Sequence, residues 1–145
     1  MQTKTRIALA ESDRDIDRCF VVMHELRTHL ERDKFAAQVQ RQMKDGGYRL
    51  AYLESVGEIK SVAGFRYGEY LAWGRIMYVD DLVTLAAERS KGFGEQLFDW
   101  LVQQAAAHGC DQFHLDSGVQ RFAAHRFYLR KRMDITSHHF ALKMR

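Results

Sequence analysis

The sequence predicts an α/β fold of the α+β mixed-sheet type, in which helices cover both faces of one central sheet. Two patterns lead to this prediction. Runs rich in β-branched and aromatic residues, typical of strands, alternate with segments whose apolar residues recur at helical spacing. The segments follow the order β-α-α-β-β-β-α-β-α-β, and 145 residues is the size of one domain. We therefore predict a single domain covering residues 1–145.

Capping and turn residues divide the chain into these elements. Ser12, followed by Asp15, is a favoured N-cap with an acidic first turn. Gly46-Gly47 and Gly109 are suited to ending helices, and Val56-Gly57-Glu58 to a hairpin turn. The predicted elements are, in order, a strand at 3–11, helices at 12–30 and 34–44, strands at 48–55, 59–70 and 75–84, a helix at 93–108, a strand at 111–117, a helix at 119–132 and a strand at 135–144.

Bulk composition excludes several classes of protein. The net charge is only +3 and the basic residues are scattered, so we predict no nucleic-acid partner. No apolar run has the length of a membrane span and no signal-peptide core follows the first residues, so we predict a cytoplasmic protein without a membrane partner. Cys19 and Cys110 are too few for a disulfide framework, and neither has a neighbour at metal-ligand spacing. We predict no metal cofactor.

One short stretch indicates a ligand. Arg89-Ser90-Lys91-Gly92-Phe93-Gly94 lies between a predicted strand and a strongly periodic helix. The two glycines lack a Cβ, so a ligand can approach the backbone closely. The free N–H groups of the following helical turn suit a phosphate, and Arg89 and Lys91 add positive charge. A ligand with a diphosphate group is therefore predicted here.

The spacing of the glycines distinguishes this loop from two other phosphate-binding loops. A Walker loop needs four residues between its glycines followed by Lys-Ser or Lys-Thr, which this chain lacks. A dinucleotide fingerprint needs a third glycine at position 97, where Leu97 stands. What remains is Arg-x-x-Gly-x-Gly between strand and helix. An ordinary strand-to-helix turn with a solvated Arg and Lys is the alternative.

A second block, residues 123–133, lies on a later predicted helix. Together the loop and this block resemble the GNAT superfamily of acetyl-CoA-dependent N-acetyltransferases, whose patterns are Gln/Arg-x-x-Gly-x-Gly/Ala and Asn-x-x-Ala-x-x-Phe-Tyr-x-x-x-Gly-Phe. Ala124, Phe127 and Tyr128 match the second pattern in register. Arg121 replaces its Asn, and Arg132-Met133 replaces its Gly-Phe, which leaves the turn geometry there open. The predicted order of elements is also the GNAT order.

The resemblance implies transfer of an acetyl group from acetyl-CoA to a primary amine of a small molecule or a protein. It implies cofactor contacts from Arg89, Ser90, Lys91, Gly92, Phe93 and Gly94, and from Phe127 and Arg130. The basic cluster Arg126, Arg130, Lys131 and Arg132 is either a solvated face or a contact for the 3′-phosphate of CoA. The pantetheine arm is expected to bind along the strand edge at Leu82, Val83 and Thr84. The N–H of Val83 is then the expected oxyanion donor, and Tyr128 the general acid that protonates the leaving thiolate.

The sequence indicates the general base and the residues that contact the acceptor less clearly than it indicates the coenzyme site. Asp80 and Asp81 end the strand before the loop, and alternation predicts that they point to opposite faces. Asp81 is the better candidate for the base, although Asp80, water alone or a merely solvated pair are alternatives. Tyr67, Tyr70, Trp73 and His29 are candidate acceptor contacts that the sequence does not distinguish from packing or surface residues.

Alternatives from other classes remain open on the sequence. The same fold could serve as a non-catalytic acyl-CoA-binding or regulatory module, or the glycine loop could be a simple turn in an interaction domain. Only the 12 residues 134–145 follow Met133, enough for one strand where the family usually has two. This shortfall leaves room for a homodimer in which a second subunit completes the site.

Overall fold

A computed structural model describes residues 4–145. Thr3, where the first strand is predicted to begin, lies outside the described residues. Most elements occur where the sequence predicts them. Their bounds are β1 Thr5–Leu9, α1 Asp13–Arg18, α2 Phe20–Leu26, α3 Arg32–Gly46, β2 Arg49–Ser55, β3 Glu58–Tyr70, β4 Gly74–Thr84, α4 Phe93–Ala107, β5 Gln112–Leu115 and α5 Phe122–Arg130, with a 3₁₀ turn at Ala86–Glu88.

The strands form one sheet in the order β1-β2-β3-β4-β5, and the pairs β1/β2, β2/β3 and β3/β4 are antiparallel. The helix α4 connects β4 to β5, the connection that a parallel pair requires. Leu50 and Tyr52 of β2 belong to a core shared with α1, α2 and α3. Ala51 and Leu53 are buried on the opposite face, since side chains alternate along a strand, and α4 packs on β2, β3 and β4. The predicted α/β sheet with helices on both faces is confirmed.

The chain divides into two compact units, the first ending at His114 and the second comprising Leu115–Arg145. The first unit contains the helices α1 to α4 and the sheet up to the third residue of β5. The second contains the last residue of β5, the helix α5 and the residues after it. The single domain predicted from chain length stays a prediction.

The predicted helix at 12–30 begins where expected. In the structure, however, it is divided into α1 and α2 and ends before residue 30. The Ser12 hydroxyl accepts a hydrogen bond from the N–H of Asp15, as predicted for the N-cap. The N–H of Cys19 bonds to the carbonyl of Ile16 three residues back, so α1 tightens there and α2 begins anew. At Arg27 the backbone leaves the helical region, and the side chain of Arg27 bonds to β4 instead. A tertiary contact therefore coincides with the end of this helix before Leu30.

The predicted closing strand at 135–144 is wrong. Residues 131–145 contain neither helix nor strand, although Phe140, Leu142 and Met144 alternate as strand residues do. These three side chains are exposed. A strand is stable only when a neighbouring strand takes up its backbone hydrogen bonds, and the alternating pattern by itself supplies no such neighbour.

The hairpin between β2 and β3 contains a backbone strain that can be tested. Ser55 pairs with Glu58, so Val56 and Gly57 form a two-residue turn with φ of 54° and 75°. Such turns favour Asn-Gly, because a β-branched residue is poorly accommodated at positive φ. The side chain of Val56 is 82% exposed and adds little packing.

Val56→Asn should therefore raise the free energy of unfolding by about 1 kcal/mol. The melting temperature measured by circular dichroism should rise by roughly 4 °C. Val119→Asn is the matched control, because Val119 is 83% exposed and its φ is not positive. An equal rise in both variants would show that lower surface hydrophobicity, and not the turn, is responsible.

Candidate functional site

The glycine loop leads directly into α4. Gly92 is the N-cap residue with φ of 84°, and its carbonyl accepts the N–H of Gln96 at 3.0 Å. The first N–H groups of a helix have no intrahelical acceptor and are available to an anion. A Cβ on Gly92 would meet no atom within 4 Å, whereas one on Gly94 would lie 2.8 Å from the Thr84 hydroxyl. Gly92 is thus required by the backbone conformation, and Gly94 by the close approach of β4.

One of the two positive charges of the loop, that of Lys91, forms an ion pair within the protein. The Nζ of Lys91 lies 2.8 Å from one carboxylate oxygen of Glu88, and the Nζ of Lys60 lies 3.1 Å from the other. Hydrogen bonds from Lys91 and then Lys60 hold the pKa of the Glu88 carboxyl below its usual range. Arg89 is exposed beside them. The loop therefore offers the exposed Arg89, while Lys91 is shared with Glu88.

The end of β4 corrects one prediction. Val83 is paired with Val62 of β3, and the N–H of Leu85 donates to the carbonyl of Lys60 on the same strand at 2.9 Å. Because N–H groups alternate in direction along an antiparallel strand, the N–H of Val83 also points to β3. The prediction that it faces a thioester at the free edge is wrong. The N–H groups of Leu82 and Thr84 point to that edge.

The edge at Leu82–Thr84 extends beyond the neighbouring strand. The N–H of Asp111, just before β5, donates to the carbonyl of Arg75 near the start of β4 at 2.6 Å. The strand β5 has only four residues, whereas β4 has eleven. Running parallel to β4, β5 therefore ends before it reaches Asp81. An extended ligand could pair with the remaining edge.

A cavity of about 420 Å³ lies beside the same strand. Its lining includes Asp80 and Asp81 together, so the prediction that they point to opposite faces is wrong. The cause is a β-bulge: Gly64 of β3 pairs with Asp81, but Phe65 pairs with Val79, which leaves Asp80 as the additional residue. A bulge interrupts the alternation of side chains. Both residues therefore line one cavity.

Each carboxylate is held by partners that the sequence analysis missed. The guanidinium of Arg66 makes a two-point contact with Asp80. The Nε of Arg27 donates to one oxygen of Asp81 at 2.9 Å, and the hydroxyl of Tyr48 donates to the other at 2.8 Å. These partners lie 14 to 54 residues away in the chain, beyond the reach of local patterns. The one available signal was Gly64, since a glycine inside a strand pattern indicates a bulge or a close approach.

Among the four candidate acceptor contacts, His29 lines the cavity. The other three lie on β3 or on the turn between β3 and β4. Tyr67 stacks on His108 with ring centres 4.2 Å apart, and Trp73 contacts His114 at the same distance. Aromatic packing around the β3–β4 hairpin accounts for Tyr67 and Trp73, and Tyr70 contacts the Trp73 ring.

In the second unit, α5 contains Phe127, Tyr128 and Arg130, and the two aromatic rings pack edge to face. Burial raises the pKa of the Tyr128 hydroxyl above the usual phenol range, against a smaller opposing effect of the Arg121 charge. Arg132, which stands where the second family pattern has glycine, has φ of 67°. The chain therefore makes a left-handed turn after the helix without a glycine.

Two classes of feature are not found among residues 4–145. These residues contain no group of three or more His, Cys, Asp or Glu side chains arranged to hold a metal ion. Across the same range, none of the helices combines the length and apolar character needed to cross a bilayer.

The sequence matches the model of the acetyltransferase (GNAT) family over residues 13–133. The chain belongs to the GNAT family. It is 33% identical over 112 residues to an uncharacterised N-acetyltransferase, YhdJ, of Bacillus subtilis, covering 77% of this chain and 79% of the relative. It is also 33% identical over 115 residues to the aminoalkylphosphonate N-acetyltransferase of Salmonella typhimurium, covering 78% of this chain and 71% of that one.

The fold agrees with this membership. The solved structure of the aminoglycoside N-acetyltransferase AAC(6')-Iy in complex with CoA superposes with a TM-score of 0.85 at 11% identity, covering 100% of this chain and 97% of the other. The protein is accordingly a GNAT N-acetyltransferase, with acetyl-CoA as the co-substrate and an amine as the acceptor. The suggested ordinary turn and non-catalytic module are set aside in favour of the enzyme.

Proposed function

We propose that this N-acetyltransferase acetylates a small primary amine bound in the cavity beside β4, with Asp81 as the base and Tyr128 as the acid. The observation that carries the proposal is the position of Asp81. Its carboxylate lines the cavity, and its strand continues into the edge Leu82–Thr84 and then the glycine loop. One strand thus connects the proposed acceptor cavity with the proposed coenzyme groove.

The coenzyme proposal assigns each part of acetyl-CoA to a chemical partner. Its diphosphate accepts hydrogen bonds from the first N–H groups of α4 and forms ion pairs with Arg89 and Lys91. Its pantetheine amides pair with the edge at Leu82 and Thr84. The N–H of Leu82, instead of that of Val83, donates to the thioester carbonyl oxygen, a contact worth about 3 kcal/mol at the transition state. The family pattern supports contacts from Phe127 and Arg130.

The chemistry is a direct attack. The amine nitrogen forms a bond to the thioester carbonyl carbon, the carbon–sulfur bond breaks, and the thiolate takes the proton of Tyr128. Asp81 accepts the proton that the amine loses, directly or through water. The raised pKa of Tyr128 keeps its hydroxyl protonated at neutral pH, which supports a role as acid. The products are the N-acetyl amide and free CoA.

The proposed acceptor is a short amine that also bears an acidic group. The Salmonella relative is named for aminoalkylphosphonates. In this chain Arg27 lines the cavity, and its side chain remains 43% exposed while it contacts Asp81. A guanidinium can hold a phosphonate or carboxylate through charge-assisted hydrogen bonds. The acceptor's anion would bind Arg27 while its amine lies near Asp81.

A matched pair of amines tests this proposal. We expect kcat/KM for 2-aminoethylphosphonate to exceed that for ethylamine by about tenfold or more, as charge-assisted hydrogen bonds predict. Arg27→Met should remove most of this preference. Release of CoA thiol in a continuous assay gives both rates. Equal kcat/KM for the two amines in the wild-type enzyme would contradict the acceptor proposal without affecting the coenzyme proposal.

A homodimer remains part of the proposal. The exposed apolar side chains Phe140, Leu142 and Met144 support it, because a second copy could cover them. A cytoplasmic location is proposed on the composition alone.

A further inference from the structure

We infer that Tyr48 is a positioning residue for acetyl transfer, which holds Asp81 in the acceptor cavity and reaches it only because residue 64 is glycine. The inference rests on the proposed role of Asp81 as base. It adds a residue that neither family pattern contains, since Tyr48 lies outside both the glycine loop and α5.

The first support is the contact itself. The Tyr48 hydroxyl donates to Oδ2 of Asp81 at 2.8 Å, while Arg27 donates to Oδ1 at 2.9 Å. The two donors come from different parts of the chain: Tyr48 precedes β2, and Arg27 is the C-cap residue of α2. With one donor on each oxygen, rotation of the carboxylate is restricted. An ionised carboxylate still has further lone pairs with which to accept a proton.

The second support is the space that Gly64 provides. A Cβ at residue 64 would overlap the hydroxyl of Tyr48 and the adjoining ring carbons. Gly64 pairs with Asp81 across β3 and β4, next to the bulge at Asp80. Its φ is not positive, so backbone conformation does not require glycine here. The missing side chain instead lets the phenol of Tyr48 cross β3 and reach the strand beyond it.

The third support is that the Tyr48 hydroxyl stays protonated and so remains a hydrogen-bond donor. Tyr48 is only 3% exposed. Burial, followed by the negative charge of Asp81, raises the pKa of its hydroxyl well above the usual phenol range. Tyr48 therefore keeps its proton at neutral pH, and it can act as a fixed donor to Asp81 but not as a base.

The principal test compares Tyr48→Phe with Tyr52→Phe. Tyr52 is a buried tyrosine of β2 whose ring packs under Arg18, away from Asp81. Loss of a hydrogen bond to a charged group predicts a fall in kcat of between about tenfold and a hundredfold for Tyr48→Phe. The thermal shift that acetyl-CoA produces should be unchanged, and Tyr52→Phe should keep wild-type kcat. A kcat for Tyr48→Phe within twofold of wild type would overturn the inference.

A second comparison separates this inference from the proposed function. Asp81→Asn should lower kcat, and adding Tyr48→Phe to it should cause little further loss, since residues acting through one group are not additive. If Asp81→Asn retains full activity, the proposed base is wrong. If Asp81→Asn is impaired but Tyr48→Phe lowers kcat equally with or without Asp81, Tyr48 acts elsewhere and the inference is wrong.

Gly64→Ala tests the steric part. In the wild-type background it should lower both kcat and the melting temperature, because the new methyl group displaces Tyr48. In a Tyr48→Ala background the space is vacant, so the same substitution should lower the melting temperature much less. An equal loss in both backgrounds would show that Gly64 is required for another reason.

Discussion

Tyr128→Phe should lower kcat by about two to four orders of magnitude, the range that general acid catalysis contributes. The substitution removes one oxygen and keeps the ring that packs against Phe127. Without the hydroxyl, the thiolate must leave unprotonated or take its proton from water. Affinity for acetyl-CoA should be unchanged, because the acid acts on charge that develops only as the carbon–sulfur bond breaks. Steady-state kinetics and the acetyl-CoA thermal shift measure the two quantities separately.

Changing the leaving group sharpens this prediction. An acetyl thioester of a more acidic thiol needs less protonation, so the difference in kcat between wild type and Tyr128→Phe should shrink with it. Tyr67→Phe is the matched control: it removes a hydroxyl that bonds to His108 in the first unit, and kcat should be unaffected. If the loss in Tyr128→Phe is the same for every leaving group, Tyr128 does not act as the acid.

Gly92→Leu should weaken acetyl-CoA binding by between about tenfold and a hundredfold, or about 1.4 to 2.8 kcal/mol. A side chain at Gly92 would occupy open space next to the first N–H groups of α4, where a diphosphate is proposed to bind. Because the φ of residue 92 is 84°, leucine at this position should also lower the free energy of unfolding by about 1 to 2 kcal/mol. Titration of acetyl-CoA by calorimetry and a separate thermal melt distinguish the binding loss from the folding loss.

The other end of the same helix supplies the control. Gly109 also has positive φ, at 70°, and a Cβ there would likewise meet nothing within 4 Å. Gly109→Leu should therefore cost a similar amount of stability but leave acetyl-CoA affinity unchanged. If both variants weaken binding equally, general destabilisation explains the loss and the diphosphate does not bind at Gly92.

The features that could be predicted from the sequence are those that depend on neighbouring residues. The N-cap at Ser12 needs only the N–H of Asp15, and the loop before α4 needs glycines at set positions. At Arg132 the chain makes a left-handed turn although the glycine of the family pattern is absent. A turn can thus be maintained at some conformational cost when the surrounding chain favours it.

The features that could not be predicted depend on residues far apart in the chain. Strand periodicity implied opposite faces for Asp80 and Asp81, but a bulge opposite Gly64 brought both to one cavity. The same periodicity did not reveal which edge the N–H of Val83 faces, because that depends on the register with β3. The alternating residues near the end of the chain resembled a strand, yet strand formation requires a partner.

The sequence by itself therefore determined the family, the order of the elements up to α5 apart from the break between α1 and α2, and the loop with its positive charges, because helix caps, glycine spacing and periodicity act over a few residues. Only the tertiary structure decided the surroundings of Asp81, where Arg27 and Tyr48 meet it across 54 and 33 positions of the chain. Hydrogen bonds of that kind form only when separate elements pack together, so no local pattern encodes them.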